Sequence, residues 1–188
     1  MSSELLVSSK KTIDGLAEII KPLAYDKTVS ATSGAEARRI ALNNEFDTVF
    51  INAPLSDEFG HELSLSIASS MNAGVILMVK GEMADEVSHR VEKGGVFVVS
   101  KPLYKPVFYQ AVNISRAARV RVLGLQKENL KLQTKIEDLK FVNRAKCVLI
   151  QYLNMTEAQA HRYIEKQAMD MRLSKREIAD KIISTYDR

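Results

Sequence analysis

The sequence predicts an α/β domain with a parallel sheet, then a coiled-coil helix and a small all-α three-helix module. Three observations predict it. Short apolar runs alternate with helical periodicities through residues 1–115. Leucines recur every seven residues at Leu125, Leu132 and Leu139, and capping signatures divide residues 140–188. Charge divides the chain in the same way. Residues 1–115 carry 11 Lys+Arg against 14 Asp+Glu, a net of −3, and residues 116–188 carry 16 against 9, a net of +7. A basic second half is compatible with nucleic-acid binding, and equally with a solvated helical tail.

The elements follow in order. "ELLVSS" is a short apolar strand, and "KTIDGLAEIIKPL" places Ile13, Leu16, Ile19 and Ile20 at helical spacing. "DKTVSAT" is a second strand. "SGAEARRIALNN" opens with Ser33 and Glu36 in a capping-box pattern. "DTVFIN" is a third strand, "DEFGHELSLSIASSM" a helix, "GVILMVK" a fourth strand, "EMADEVSHRVEKG" a helix and "GVFVVSKP" a fifth strand. Strands and helices alternating at this spacing give a parallel sheet covered on both faces, a flavodoxin-like domain over residues 1–115. Val107, Ala111, Ile114 and Ala118 are expected to be the buried face of its last helix.

Beyond that helix the period becomes seven. With leucine at d, the a positions are Val122, Asn129, Ile136 and Asn143. Leucine at d with β-branched residues and a buried Asn at a favours a parallel two-stranded coiled coil, so residues 116–139 are expected to form a homodimer seam. Gly124 weakens that helix, and Lys135 would face Lys140 of a second copy. The alternative is one amphipathic helix packed within its own chain. Thr156 with Gln159, and Ser174 with Glu177, open two further capped helices.

Several function classes are set aside. No nucleophile–base pair appears, so an enzyme is not expected. His61, His89 and His161 lack ligand spacing, and no metal or cofactor is expected. Apolar runs such as "VILMV" are too short to span a membrane. The lone Cys147 and the absence of a signal-peptide start suggest a cytoplasmic protein.

Residues 4–115 resemble a response-regulator receiver domain. That family carries an acidic pair after the first strand, an Asp after the third, a hydroxyl after the fourth and Lys-Pro after the fifth. Here Ser8 and Ser9 replace the acidic pair, Asn52 stands eight before Gly60 at the phosphoacceptor position, and Val79 replaces the hydroxyl. Lys101 and Pro102 remain. Phosphoryl transfer needs a carboxylate nucleophile and Mg²⁺ held by hard oxygen ligands. The resemblance therefore implies a pseudo-receiver that is not phosphorylated, with Lys101 bonded to Asn52 or a serine hydroxyl. Asp57 and Glu58 are expected near a helix N-terminus. A flavodoxin-like domain with an unknown ligand is the alternative.

"RAKCVLI", "TEAQAHRYI", "QAMDMR" and "SKREIADKII" resemble the ANTAR domain, the RNA-binding module of AmiR- and NasR-type antiterminators. The resemblance covers residues 140–188. It implies a dimer that holds paired hairpins in nascent leader RNA, with an optional partner sensor. Arg144 and Lys146 match motif positions. Arg162, Lys166, Arg172, Lys175 and Arg176 join them as RNA-contact candidates on charge alone. Cys147 stands where the family has glycine and is expected to be a small buried residue. Tyr163 is expected in the core more than at a stacking surface, and Ala168 and Met169 in packing. A DNA-binding helix-turn-helix regulator and a protein-binding adaptor are the competing readings.

Overall fold

The computed structural model describes residues 2–186. Five strands form one parallel sheet: β1 Ser3–Val7, β2 Lys27–Ala31, β3 Thr48–Asn52, β4 Gly74–Lys80 and β5 Phe97–Lys101. Their order is β2-β1-β3-β4-β5. The chain divides into two compact units, Met1–Leu123 and Gly124–Arg188.

In the first unit the strands alternate their side chains between two cores, as the pleat requires. Leu5, Val7, Val49, Ile51, Leu77 and Val79 face one core. It is closed by α2 (Gly34–Asn43), α3 (His61–Ser70) and α4 (Ala84–Val91). Leu6, Phe50, Ile76 and Met78 face the other. That core is closed by α1 (Ile13–Ile20) and by α5 (Lys105–Leu153), one helix of 49 residues.

Three local expectations are corrected. The buried stripe of α5 is Phe108, Val112 and Ser115, while Val107 and Ile114 are 52% and 50% exposed. Two apolar stripes compete on this helix. The one that docks carries Phe108, whose ring lies 5.8 Å from that of Phe50. Second, α3 begins at His61 rather than in the Asp57 turn. Gly60 precedes it at φ 110°, a conformation L side chains rarely adopt, and Ile51 lies 3.2 Å from where a Cβ would stand. Third, the Ser33 cap is shared differently. Ser33 accepts from the Glu36 N–H at 3.2 Å, but the Glu36 carboxylate reaches Thr32 N–H at 2.7 Å.

In the second unit α5 continues and is followed by α6 (Glu157–Met171) and α7 (Lys175–Tyr186). Ala145, Val148 and Leu149 pack with Ala160, Ile164, Ile178 and Ile182. The Thr156–Gln159 capping box forms in both directions, and Ser174 and Glu177 do the same for α7. No helix among the described residues is long and apolar enough to cross a membrane.

Candidate functional site

The carboxyl edge of a parallel sheet is where this fold places ligands. Here it holds a closed network of neutral groups around one lysine. Lys101 Nζ donates to Asn52 Oδ1 at 2.9 Å and to the Ala53 carbonyl. Asn52 Nδ2 donates to Ser8 Oγ at 3.0 Å and to Thr12 Oγ1 at 3.3 Å. Thr12 in turn lies 2.8 Å from both the Ser8 and the Ser9 hydroxyls. Thr12 was not singled out by the sequence. Its signal was its place one residue before α1, four after Ser8. Burial, and then the nearby Lys80 charge, push the Lys101 ammonium below its usual pKa.

Val79 does not line this pocket. It is fully buried in the core on the α2–α4 side. The period of two along β4 turns the next residue toward the pocket face instead. That residue is Lys80, in register with Lys101 of β5.

The acids near the pocket serve the fold. Asp57 accepts from the Gly34 and Ala35 N–H groups at 2.8 and 2.9 Å, at the N-terminus of α2. These backbone bonds lower its pKa. The expectation of helix-terminus duty holds for α2, not for the helix that follows Asp57. Glu58 makes a two-pronged pair with Arg38.

The second candidate site is the basic helical unit. Its seven cationic candidates separate by partner. Lys146 is only 16% exposed and pairs with Glu157 at 3.2 Å. Lys175 pairs with Glu165 at 2.6 Å. Arg176 lies 3.6 Å from Asp138 and stacks over the Phe141 ring. Arg144 is exposed. Arg162 and Lys166 are exposed one turn apart on α6, and Arg172 ends that helix. Met169, one turn beyond Lys166, is 79% exposed, against the expectation of packing. Tyr163 is 39% exposed rather than core, because Ala160, Ile164 and Ala168 already fill the buried stripe of α6. Cys147 is exposed, not buried, since Ala145, Val148 and Leu149 take the inner face of α5.

The sequence of this helical unit has a counterpart among known families. Residues 130–183 match the family described as ANTAR domain. The chain carries an ANTAR domain. Transcriptional regulatory protein PdtaR from Mycobacterium tuberculosis, in strains CDC 1551 / Oshkosh and ATCC 25618 / H37Rv, is 25% identical over 170 residues. The match covers 90% of this chain and 83% of that protein. Ahead of the ANTAR domain, solved structures match the α/β unit in fold. A CheY-like receiver domain protein from Methanospirillum hungatei JF-1 has a TM-score of 0.56 at 17% identity, covering 64% of this chain and 98% of its own. A two component transcriptional regulator AraC from Clostridium phytofermentans ISDg has 0.57 at 22%, covering 64% and 97%. An adenylate cyclase from Rhodopirellula baltica has 0.58 at 19%, covering 69% and 97%. The α/β unit ahead of the ANTAR domain thus has the receiver fold.

The a and d residues in the middle of α5 are solvent-facing in the single chain. Val122, Leu125, Asn129, Leu132, Ile136 and Leu139 are all exposed.

Proposed function

We propose that this chain is a cytoplasmic transcription antitermination regulator. Its ANTAR domain binds paired hairpins in nascent leader RNA, and its receiver-like domain works without phosphorylation in dimerisation or signal input. The assignment is residues 1–115 to the pseudo-receiver, 116–139 to a dimerising coil and 140–188 to RNA. The observation that carries it is the ANTAR match at residues 130–183. The cation arrangement supports it. RNA is read through phosphates on stems and through splayed bases in loops. Arg162 and Lys166, with neither engaged by an acid among the described residues, offer the phosphate contacts on α6. Met169 and Tyr163 beside them offer apolar surface to unstacked bases. Lys146, Lys175 and Arg176 serve the fold first, through Glu157, Glu165 and Asp138.

The pseudo-receiver reading rests on Asn52, Ser8 and Ser9, which supply neither nucleophile nor anionic metal ligands. The seam reading rests on the exposed a and d residues at 122–139.

The test is a titration of labelled two-hairpin leader RNA at several salt concentrations, against duplex DNA of the same sequence. Expected is tight hairpin binding with weaker duplex binding. Arg162→Ala plus Lys166→Ala should make the salt dependence shallower, by about 1 in slope for each phosphate no longer neutralised. Equal affinity for duplex DNA would favour a helix-turn-helix regulator, and no salt-dependent binding would favour a protein-binding adaptor.

A further inference from the structure

The receiver pocket has changed the sign of its charge. Ser8, Asn52, Lys80 and Lys101 all belong to the sheet face covered by α1 and α5, at the carboxyl edge of their strands. Lys80 and Lys101 are in register on adjacent strands. None of the pocket groups that bond to one another is a carboxylate: they are Ser8, Ser9, Thr12, Asn52 and Lys101. The acids in the surrounding loops are committed or turned outward. Asp57 caps α2, and Glu58 holds Arg38. Asp14 and Glu82 are exposed, and neither pairs with Lys80 or Lys101 among the described residues.

Two ammonium groups thus share one edge without a counter-charge. Lys101 is held by Asn52 Oδ1 and the Ala53 carbonyl, which use two of its three N–H donors. Lys80 is exposed and has no ion-pair partner among the described residues. The three hydroxyls next to Asn52 carry three protons, of which the Ser8–Thr12 and Ser9–Thr12 bonds use two, leaving one to turn toward a ligand. Such a set offers donors and positive charge and lacks an acidic acceptor. Its natural complement is an acceptor-only ligand.

We propose that the carboxyl edge of this sheet is a reversible binding site for a small oxyanion, a phosphate or phosphate monoester, held between Lys80 and Lys101 with the Ser8, Ser9 and Thr12 hydroxyls beside it. The covalent chemistry of a receiver is replaced by non-covalent anion recognition, and the input to the domain becomes a ligand rather than a phosphoryl group. This rests on the phosphorylation-independent reading above. The depressed Lys101 pKa agrees with it: burial is its larger cause and the Lys80 charge the lesser, and an adjacent anion opposes both.

The test uses the full chain and inorganic phosphate at constant ionic strength, balanced with chloride. Thermal melting and two-dimensional amide resonances report binding, and intact mass reports covalent change. Expected is a saturable rise in melting temperature with shifts centred on residues near Asn52, Lys80 and Lys101, and unchanged mass. Lys80→Gln is the main variant, because its exposed side chain makes no ion pair among the described residues. It should weaken phosphate binding by about tenfold or more. Lys93→Gln, on a distant surface turn, should bind as the parent does. Absence of saturation, or equal affinity in Lys80→Gln, overturns the site. A phosphoryl adduct formed with acetyl phosphate would instead overturn the phosphorylation-independent reading, and is seen by mass independently of the titration.

Discussion

The ammonium of Lys101 is bonded 2.9 Å from the side-chain oxygen of Asn52. This lysine meets a neutral amide where the receiver pattern places an aspartate. Asn52 bonds onward to Ser8 and Thr12, so the network closes without any charge but that of the lysine.

Incubation with acetyl phosphate and Mg²⁺ is expected to leave the intact mass unchanged. Asn52→Asp is expected to remain poorly phosphorylated, because Ser8 and Ser9 still provide no anionic metal ligand. A stoichiometric adduct on the parent chain would contradict the pseudo-receiver reading. Mass spectrometry of both proteins decides the matter.

Replacing Leu132 and Leu139 with Glu places charge in the proposed seam. Both side chains are exposed in the single chain, so each protomer should keep its fold. Light scattering should show monomer, or a dimer dissociation constant raised by about tenfold or more. An unchanged tight dimer would move the interface to another surface.

Asp57→Ala removes the carboxylate that accepts from Gly34 and Ala35 at the start of α2. Loss of a capping group of this kind costs about 1 kcal/mol. The sign with pH follows from the lowered pKa. The stabilisation is present above the ordinary carboxyl value of 3.8 and disappears as pH falls through the lower folded value. Urea unfolding of parent and variant should therefore differ at neutral pH and converge in acid. A constant difference down to the lowest pH would reject the capping role.

Glu4 behaves in the opposite sense. It is 4% exposed on β1, accepts from Thr28 at 2.7 Å through Oε1, and has no partner at Oε2. Burial raises its pKa, against the Thr28 bond and the Arg116 charge. A raised acid contributes stability below 4.5 and loses it as pH rises through the folded value. Glu4→Gln keeps an acceptor for Thr28 and removes the buried charge. It should match the parent in mild acid and equal or exceed it at alkaline pH. Denaturant midpoints across that range check this, and a variant weaker at alkaline pH would show that the ionised carboxylate stabilises the fold through Arg116.

Much of this protein was determined by local pattern. The alternation of apolar runs with helical faces specified five strands and their helices, because strand and helix periods are properties of short windows. The caps at Thr156 and Ser174 formed as expected, since a capping box involves only residues three apart. The substitution of neutral residues for the receiver carboxylates was visible at Ser8, Ser9 and Asn52, and the ANTAR motif was visible in its ordered runs. Other features required the fold. Which stripe of α5 is buried depended on Phe108 meeting Phe50 on another element. That Lys80 rather than Val79 shares a sheet face with Lys101 depended on strand register, which one residue of slip would reverse. Asp57 found its partners on α2, more than twenty residues away, and Lys146 found Glu157 on another helix. Periodicity states what a segment can bury, whereas long-range packing decides which face is buried and which charge is left facing water.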